Sequence, residues 1–348
     1  MKKYFIGIDV SKAKIDVSII LRVENVDSIT RLGHEVFENR KRGFLRMLQW
    51  TKRITGADMT NENALFCCET TGSYDLKLCD YLHTKEQFIW RENAIQLKRS
   101  LGLRRGKNDA ADSWAISEYA LRHADKAVNY NPLLPEVKEL KELVNYREIL
   151  VRRLKAAKVR VHEVSDNAVQ RSASLRFIVA DSKKEIRTLE NSLKRCEEQI
   201  AKLMKEHEDM QKNYTHVKSI PGIGLVNAAA LIAYTNNFLN FKTANALATY
   251  IGLVAFREQS GTSINKAVKV DCFSNKQLKA YITQAAECAV RYNHRIGEYF
   301  AKMLAAGKHR SIAMNNVKNK LVHILFSLVK HDCDFEENHE VILKFQKS

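Results

Sequence analysis

Four acidic residues stand where separate elements of this chain would end and converge. Asp9 lies in the segment IGIDVSK, Glu69 closes the apolar run ALFCCE, and Asp109 and Asp112 lie in KNDAADSWAI. Two aspartates three residues apart share a face of a helix and repel each other. Mg²⁺ prefers oxygen ligands, and two such ions can stabilise both the attacking and the leaving oxygen of a phosphoryl transfer. Although a single aspartate is more often a helix cap or a solvated side chain, the four together predict a phosphoryl-transfer site with one or two Mg²⁺ ions.

The charge balance of the chain favours a nucleic-acid partner. Its 348 residues include 57 Lys+Arg against 40 Asp+Glu, which gives a net charge of +17. Basic side chains release counterions from a phosphate backbone and so bind polyanions. A membrane surface would attract the same charge, but the sequence shows no lipidation signal, amphipathic anchor or apolar run long enough to span a bilayer. Seven cysteines without a CxxC pair are typical of free thiols rather than zinc ligands. We therefore expect a cytoplasmic protein without a membrane partner.

Hydrophobic periodicity predicts an α/β domain over residues 1–128. The predicted strands cover residues 4–10, 15–21, 34–38, 64–69 and 87–90. The predicted helices cover residues 43–53, 74–83 and 108–123, the last with Asn108 as its N-cap. Strands that alternate with helices indicate one sheet covered by helices. Such a sheet would bring the acidic residues together at the ends of its strands.

The rest of the chain reads as helical. Residues 129–213 combine a proline-containing linker with two heptad runs, which predict a pair of long coiled-coil helices. These helices would form either a hairpin within one chain or a seam between two subunits, and we favour a seam that is at least partly intermolecular. Residues 214–331 form a third, mostly helical unit, and residues 332–348 are a tail without an assigned structure.

Two further groups of residues are candidates for binding nucleic acid. Basic residues crowd the segment before Asp109, where a solvated face is the alternative to a surface that follows DNA phosphates. The segment SIPGIGLVNAAALIA resembles the turn of a helix-hairpin-helix motif, in which glycines let backbone N–H groups approach a phosphate at a helix N-terminus. A plain glycine turn is the alternative there. The residues assigned to these two groups are Lys12, Arg99, Arg104, Arg105, Lys107, Gly222 and Gly224.

A serine in the segment YIGLVAFREQSGTSINK is a candidate nucleophile. Ser260 precedes a glycine in a polar stretch that follows an apolar one. A serine hydroxyl can attack phosphorus when it is activated and oriented, but no neighbouring histidine is visible as a base. Most serines in such a setting are structural, and Ser263 is an equal candidate on the residues alone.

These motifs together resemble one protein family. IGIDVSKAKIDVSI, ETTGSY and KNDAADSWAI resemble the N-terminal blocks of the DEDD transposases of bacterial insertion sequences, which are related to the pilin-gene invertases. SIPGIGLVNAAALIA, YIGLVAFREQSGTS and GKHRSIAMNNVKNKL resemble the C-terminal block of the same family. The resemblance covers residues 4–123 and 215–330 in the same order.

The resemblance implies a fold, a mechanism and partners. The N-terminal domain would have a RuvC-like, RNase H-type fold whose DEDD tetrad binds Mg²⁺, and Ser260 would form a covalent link to DNA. Family members characterised as bridge-RNA-guided recombinases use a structured non-coding RNA as a guide, which pairs with donor and target DNA. The active site would be shared between subunits of a dimer that assembles into a tetramer, in the cytoplasm at the bacterial nucleoid. Two lysines in the C-terminal blocks, Lys266 and Lys308, are expected to contact nucleic acid.

The sequence thus predicts a transposase or site-specific DNA recombinase that is guided by RNA. One alternative is a metal-dependent, structure-specific nuclease that uses water instead of Ser260. Another is a non-catalytic nucleic-acid-binding scaffold, in which Asp9→Ala would leave function intact. Substitution of Ser260 separates the first two, because only a serine recombinase would stop cutting DNA.

Overall fold

A computed structural model describes residues 3–23, 28–56, 59–101, 109–166, 172–256, 259–260, 264–265, 269–270 and 274–336. The chain divides into two compact units, Met1–Pro132 and Leu133–Ser348. Within the described ranges, no helix is both long enough and apolar enough to cross a membrane. The residues predicted as a coiled-coil middle and those predicted as a C-terminal domain, from 133 onward, belong to the second unit.

The first unit is built on a five-stranded mixed sheet. Its strands are β1 (Tyr4–Val10), β2 (Lys14–Arg22), β3 (Ile29–Glu38), β4 (Ala64–Glu69) and β5 (Ile89–Glu92). Their order across the sheet is β3-β2-β1-β4-β5. β2 runs antiparallel to both β1 and β3, whereas β4 runs parallel to β1 and to β5. This arrangement confirms the α/β domain that the alternating apolar patterns predict, with β5 two residues later than expected.

Helices pack on both faces of this sheet. They are α1 (Lys41–Thr55), α2 (Leu76–Thr84), α3 (Ala94–Leu101) and α4 (Asp109–Arg122). One face of the sheet packs on α1 and α2 in a core that includes Ile6, Phe66 and Phe44. The other face packs on α3 and α4 in a core that includes Phe5 and Ile116. Since helices cover both faces, the central strands β1 and β4 are almost wholly apolar until the acids Asp9 and Glu69 near their ends, whereas the edge strand β3 is largely exposed.

The second unit begins with two long helices that pair within the chain. α5 (Pro135–Asp166) and α6 (Ala173–Glu206) run antiparallel, because residues that advance along α5 contact residues that recede along α6. Arg147 pairs with Glu197 at 2.7 Å, and Lys158 pairs with Glu190 at 2.8 Å. The structure therefore shows the hairpin alternative for the described part of the heptad runs.

The remaining helices enclose the largest hydrophobic core of the described residues. They are α7 (Glu208–Lys218), α8 (Leu225–Thr235), α9 (Ala244–Ile251), α10 (Lys276–Tyr292), α11 (His294–Ala305) and α12 (Arg310–His331). Four two-residue strands lie between α9 and α10: β6 (Ala255–Phe256), β7 (Gln259–Ser260), β8 (Ile264–Asn265) and β9 (Lys269–Val270). β6 pairs with β9, and β7 pairs with β8, both antiparallel.

Candidate active site

Strand register places three acidic residues side by side at one edge of the first unit. Asp9 on β1 lies opposite Asp16 on β2. β4 follows β1 in parallel with Cys68 opposite Ile8, so Glu69 continues the pairing at the level of Asp9. Because side chains alternate between the faces of a strand, all three carboxylates belong to the face that packs on α4. Asp16 is 4% exposed and is not among the site residues that the sequence predicts.

The other two predicted acids open α4. Asp109 and Asp112 both lie in the first turn of this helix. Carboxylates are favourable there, because the helix dipole presents positive charge at its N-terminus. The helix thus offsets part of the repulsion between the two aspartates and aims them at the sheet. The predicted N-cap, Asn108, lies outside the described residues.

A seam of small residues holds α4 against β1. The backbone N–H of Gly7 donates a hydrogen bond of 3.0 Å to Oγ of Ser117, and the hydroxyls of Ser18 and Ser113 are 2.6 Å apart. A Cβ on Gly7 would lie 2.3 Å from the backbone oxygen of Ser113 and from the backbone nitrogen of Ser117. Only glycine allows this approach. Because Gly7 precedes Asp9 by two residues on the same face of β1, the seam sets how closely α4 approaches the strand that carries Asp9.

Electrostatics shows that the predicted acids form one cluster. The pKa of Asp9 is raised from its ordinary value of 3.8 to about 6, first of all by burial. The negative charges that raise it further are those of Asp112, Asp109, Glu69 and Asp16. The cluster therefore brings together all four residues of the predicted tetrad, and Asp16 is a fifth carboxylate beside them.

Lysines and a histidine border the cluster. Nζ of Lys14 lies 2.8 Å from Oδ2 of Asp109 and 3.3 Å from Oδ2 of Asp16. Nε2 of His34 lies 3.4 Å from Oδ1 of Asp16. Lys98 is more distant, at 3.9 Å from Oε1 of Glu69. Of these three residues, Lys14 of β2 makes the shortest contact with the cluster.

Glu92 extends the acidic row but has a different environment. It lies opposite Glu69 in the pairing of β4 with β5. The hydroxyl of Tyr119 donates to its Oε2 at 2.9 Å, and the backbone N–H of Asn93 donates to its Oε1 at 2.6 Å. Burial, together with this hydrogen bond, raises the pKa of Tyr119, which keeps the phenol protonated as a donor. Both oxygens of Glu92 are therefore engaged by the protein.

A second group of candidate metal ligands lies in the core on the opposite face of the sheet. Ligating atoms of Cys68, Asp75 and Cys79 are within 4.8 Å of one another. The Sγ atoms of the two cysteines are 3.6 Å apart, and their hydrogen bond and burial raise the pKa of Cys68 well above its ordinary value. The guanidinium of Arg91 already pairs with Asp75. Because the two cysteines contact each other and Asp75 pairs with Arg91, this group is part of the packing.

The predicted basic surface is only partly described. Lys12 and Arg99 are exposed, and Arg99 lies on α3, a helix that the sequence analysis did not predict. Lys308 is exposed just before α12. Four further residues that the sequence assigns to nucleic-acid binding lie outside the described residues: Arg104, Arg105, Lys107 and Lys266.

The predicted nucleophile lies on a short hairpin of the second unit. Ser260 ends β7 and is opposite Ile264 of β8, so its backbone is strand-like. Ser263, the equal candidate, lies outside the described residues. The assignment of Ser260 as the nucleophile remains a prediction.

The two glycines of the PGIG turn have different environments. Gly222 has a φ of +95°, and a Cβ there would lie 2.7 Å from the backbone oxygen of Ala285 on α10. Close packing on α10 therefore explains this glycine. Gly224 is the N-cap of α8, and nothing lies within 4 Å of the position of its Cβ. Both glycines border a cavity of about 670 Å³ whose lining includes Arg147 and Tyr281. Of the two, Gly224 is the one with no atom within 4 Å of its Cβ position, which leaves room for a bound phosphate.

Two family models match this chain. Residues 6–168 match the DEDD transposases of the IS110 type, and residues 214–301 match the "Transposase IS116/IS110/IS902 family". The two matches occupy most of the chain and agree on one family. The chain belongs to the IS110-family transposases. Members of this family catalyse the cleavage and rejoining of DNA, so the transposase is an enzyme of DNA recombination.

Curated relatives agree with this placement. The transposase is 23% identical to the pilin gene-inverting proteins of Moraxella lacunata and Moraxella bovis, over 98% of its own length and all of theirs. It is 28% identical to an uncharacterised 43.6 kDa protein of the insertion element IS110 from Streptomyces coelicolor, over 34% of this chain and 29% of that protein. The similarity to the pilin gene-inverting proteins thus extends through both units.

Solved structures of RuvC are similar to part of the transposase. The Thermus thermophilus RuvC structure has 12% sequence identity and a TM-score of 0.27, and the match covers 36% of this chain and 99% of that one. The same protein in complex with a Holliday junction substrate has 13% identity and a TM-score of 0.28, over 37% and 99% of the two chains.

Proposed function

We propose that this transposase cleaves and rejoins DNA with Mg²⁺ held by the DEDD tetrad of a RuvC-like, RNase H-type first unit. The ligands would be Asp9, Glu69, Asp109 and Asp112. The observation that carries this proposal is the raised pKa of Asp9, which results from burial and from the charges of carboxylates on three separate segments. A fold gains nothing from such mutual repulsion unless a cation offsets it. The donor set fits Mg²⁺, because all four ligands offer carboxylate oxygens.

Each part of the site has a distinct task in this mechanism. Bound Mg²⁺ would supply charge stabilisation at the phosphorus and at the leaving oxygen. The contact of Gly7 with α4 fixes the distance between β1 and α4, so the carboxylates on these two elements need no rearrangement before they bind Mg²⁺. Asp9 is partly buried, which lowers the contact of its carboxylate with bulk water. The exposed basic side chains, Lys12 and Arg99, would contact phosphates along the DNA.

Ser260 is the proposed nucleophile, on the strength of the resemblance of its segment to the family motif. Its Oγ would attack the scissile phosphorus and form a serine–phosphate ester. The bond to one strand oxygen would break, and the serine proton would end on that oxygen, which leaves as a hydroxyl. A hydroxyl of another DNA end would then attack the ester, join the strands and return the proton to the serine.

Partners are also part of the proposal. A guide RNA that pairs with donor and target DNA would supply sequence specificity, and a dimer that assembles into a tetramer would complete the active site. The supports are the family resemblance and the net charge of +17, which suits an enzyme that binds two kinds of nucleic acid. The exposed apolar side chains on α5, Ile149 and Val159, offer a surface for a second subunit.

A strand-transfer assay tests this mechanism. Wild type, Ser260→Ala and Asp9→Asn would be compared with Mg²⁺, DNA substrates and RNA transcribed from the flanking non-coding DNA, on denaturing gels that retain covalent protein–DNA adducts. We expect an adduct with wild type alone and only in the presence of RNA. If Ser260→Ala cuts as well as wild type and no adduct appears, the enzyme is a nuclease that uses water. If Asp9→Asn retains full activity, the tetrad proposal is wrong.

A further inference from the structure

Lys14 is held in the acidic cluster from two directions. Its ammonium lies 2.8 Å from Asp109 of α4 and 3.3 Å from Asp16 of its own strand. The two carboxylates belong to different elements, so the lysine bridges the sheet and the helix. The side chain of Lys14 is 46% exposed, whereas that of Asp16 is 6% exposed. The lysine therefore reaches from a buried anchor toward solvent.

The backbone of Lys14 is fixed as well. Its carbonyl oxygen accepts hydrogen bonds from the backbone N–H of Ser11 at 2.9 Å and from Oγ of Ser11 at 2.8 Å. The N–H of Lys14 donates to the same Oγ at 3.3 Å. This turn connects the strand of Asp9 to the strand of Asp16, so a lysine at its end is directed at the cluster without conformational search.

Asp16 differs from the tetrad in its surroundings. It is buried beside Asp9, and its two oxygens face Lys14 and His34 rather than solvent. A buried carboxylate is costly unless a cation or hydrogen-bond donors compensate it. Asp16 therefore fits the role of an anchor for a cation of the protein better than that of a ligand for an exchangeable ion.

We propose that Lys14, positioned by Asp16, is a further substrate-binding residue of this active site. When no divalent cation is bound, its ammonium neutralises the carboxylates. When the cation binds, the ammonium dissociates from Asp109, keeps its ion pair with Asp16 and contacts the DNA phosphate. This inference rests on the proposed metal site. An ammonium and a divalent cation on the same carboxylate repel each other, so their occupancy of Asp109 is coupled.

Isothermal titration of the full-length protein with Mg²⁺, without DNA, tests the coupling. We expect Lys14→Met to bind Mg²⁺ roughly tenfold more tightly than wild type. The substitution removes one positive charge that repels Mg²⁺ at a half-exposed site. Lys52 is an exposed lysine of α1, on the opposite side of the sheet. Lys52→Met therefore makes the same change in charge and should leave Mg²⁺ affinity unaltered. Unchanged or weaker Mg²⁺ binding by Lys14→Met would overturn the inference.

DNA binding in Ca²⁺ tests the second half of the proposal. Lys14→Met should bind substrate DNA about fivefold more weakly than Lys52→Met, and Lys14→Arg should retain most of the affinity. Asp16→Asn should weaken DNA binding as well, and the double variant should be no weaker than Lys14→Met, since the anchor acts through the lysine. Additive losses, or equal DNA affinity of Lys14→Met and Lys52→Met, would contradict this role.

The failure of this inference can be told apart from the failure of the metal site. Asp9→Asn, titrated with Mg²⁺ alongside the lysine variants, should lose Mg²⁺ binding if the tetrad is the metal site. If Asp9→Asn binds Mg²⁺ like wild type, the tetrad proposal is wrong, and the inference on Lys14 falls with it. If Asp9→Asn loses Mg²⁺ binding and Lys14→Met gains none, the inference on Lys14 alone is wrong.

Discussion

The first unit and the second unit differ in how they position their candidate catalytic residues. In the first unit the acidic residues lie on the strands of a five-stranded sheet and on a helix packed against it, whereas in the second unit Ser260 lies on a strand of two residues. The acids Asp9 and Glu69 end central strands, and Asp109 begins a helix of 14 residues. Their positions follow from strand register and from the buried contact of Gly7 with Ser117. The backbone that carries the acidic cluster is therefore continuous with the packed core of the first unit.

The serine segment is fixed at its two ends instead. The backbone N–H of Asn275 donates to the oxygen of Tyr250 at 2.8 Å, and Nδ2 of Asn275 donates to the hydroxyl of Tyr250 at 3.1 Å. Nζ of Lys279 donates to the oxygen of Gly252 at 2.7 Å, and Nδ2 of Asn315 donates to the oxygen of Leu253 at 2.9 Å. These contacts hold the start and the end of the segment together on α10 and α12.

The contrast suggests different sensitivities in the two regions. A change in the buried seam of the first unit should alter stability, metal binding and catalysis together. A change in the hydrogen bonds that hold the two ends of the serine segment should alter only the reaction of Ser260, because these contacts lie at the margin of the core. The following predictions test this separation.

The largest effect is expected from Asp9→Asn. Loss of a central ligand should reduce strand cleavage by about a thousandfold or more. The same substitution should raise the melting temperature of the protein in EDTA, because the folded-state pKa of about 6 exceeds the ordinary value of 3.8. Protonation of Asp9 stabilises the fold below pH 4, and this contribution is lost as the pH rises through 6. Thermal melts at pH 7.5 check the sign, and a lower melting temperature for the variant would argue against repulsion in the cluster.

Gly7→Ala should have the next largest effect. A methyl group 2.3 Å from the backbone of α4 would push the helix away, at a cost of about 3 kcal/mol in the free energy of unfolding. Mg²⁺ affinity should fall with it, because Asp109 and Asp112 move with the helix. Gly224→Ala is the matched control, since its Cβ meets open space, and it should cost no more than about 1 kcal/mol. Urea denaturation measures the free energy of unfolding, and Mg²⁺ titration measures the affinity. Equal losses in Gly7→Ala and Gly224→Ala would show that the close contact of Gly7 with α4 does not control stability or metal binding.

The pH dependence of metal binding is a third test. Ligand carboxylates must be ionised, so Mg²⁺ affinity should be constant above pH 7 and fall about tenfold per pH unit below pH 6. Titrations from pH 5 to 8 would show this break. A break near pH 4 instead would mean that Asp9 has the pKa of an isolated carboxyl group.

The smallest effect is expected from Asn315→Ala. The loss of its hydrogen bond to Leu253 loosens the start of the serine segment, and we expect a three- to tenfold slower formation of the covalent adduct, since one neutral hydrogen bond is worth about 1 kcal/mol. Mg²⁺ affinity should not change. Should Mg²⁺ binding weaken as much as adduct formation, the two regions would not be separable in the way that the contrast implies.

The sequence predicts the first unit well because its elements have clear periodicity. The apolar segments 4–10, 15–21 and 64–69 correspond closely to β1, β2 and β4. The position of an acid at the end of an apolar strand was enough to select Asp9 and Glu69. The residue pattern does not single out Asp16, because this aspartate interrupts an apolar strand, although the short turn before it implies that it lies opposite Asp9. The register of a hairpin, rather than residue type, is the signal that identifies it.

Other features depend on contacts between distant segments. Glycine is required at position 7 only because α4 packs closely on β1, and no local sequence pattern predicts this packing. Likewise, heptads bury the same face whether the partner helix is in the same chain or in another, so the hairpin of α5 and α6 could not be distinguished from a dimer seam. The reach of Lys14 to Asp109, 95 residues away in sequence, was equally beyond sequence reasoning.

The origin of the acidic cluster in three separated segments has a consequence for biosynthesis. β1 and β2 emerge first from the ribosome, β4 follows some forty residues later, and α4 is complete only at residue 122. Because non-local pairing must wait for all of its partners, a nascent or prematurely terminated chain that ends before α4 carries at most half of the tetrad. In the proposed mechanism such fragments lack Asp109, Asp112 and Ser260, so the capacity to cut DNA arises only after the chain has been translated beyond residue 260.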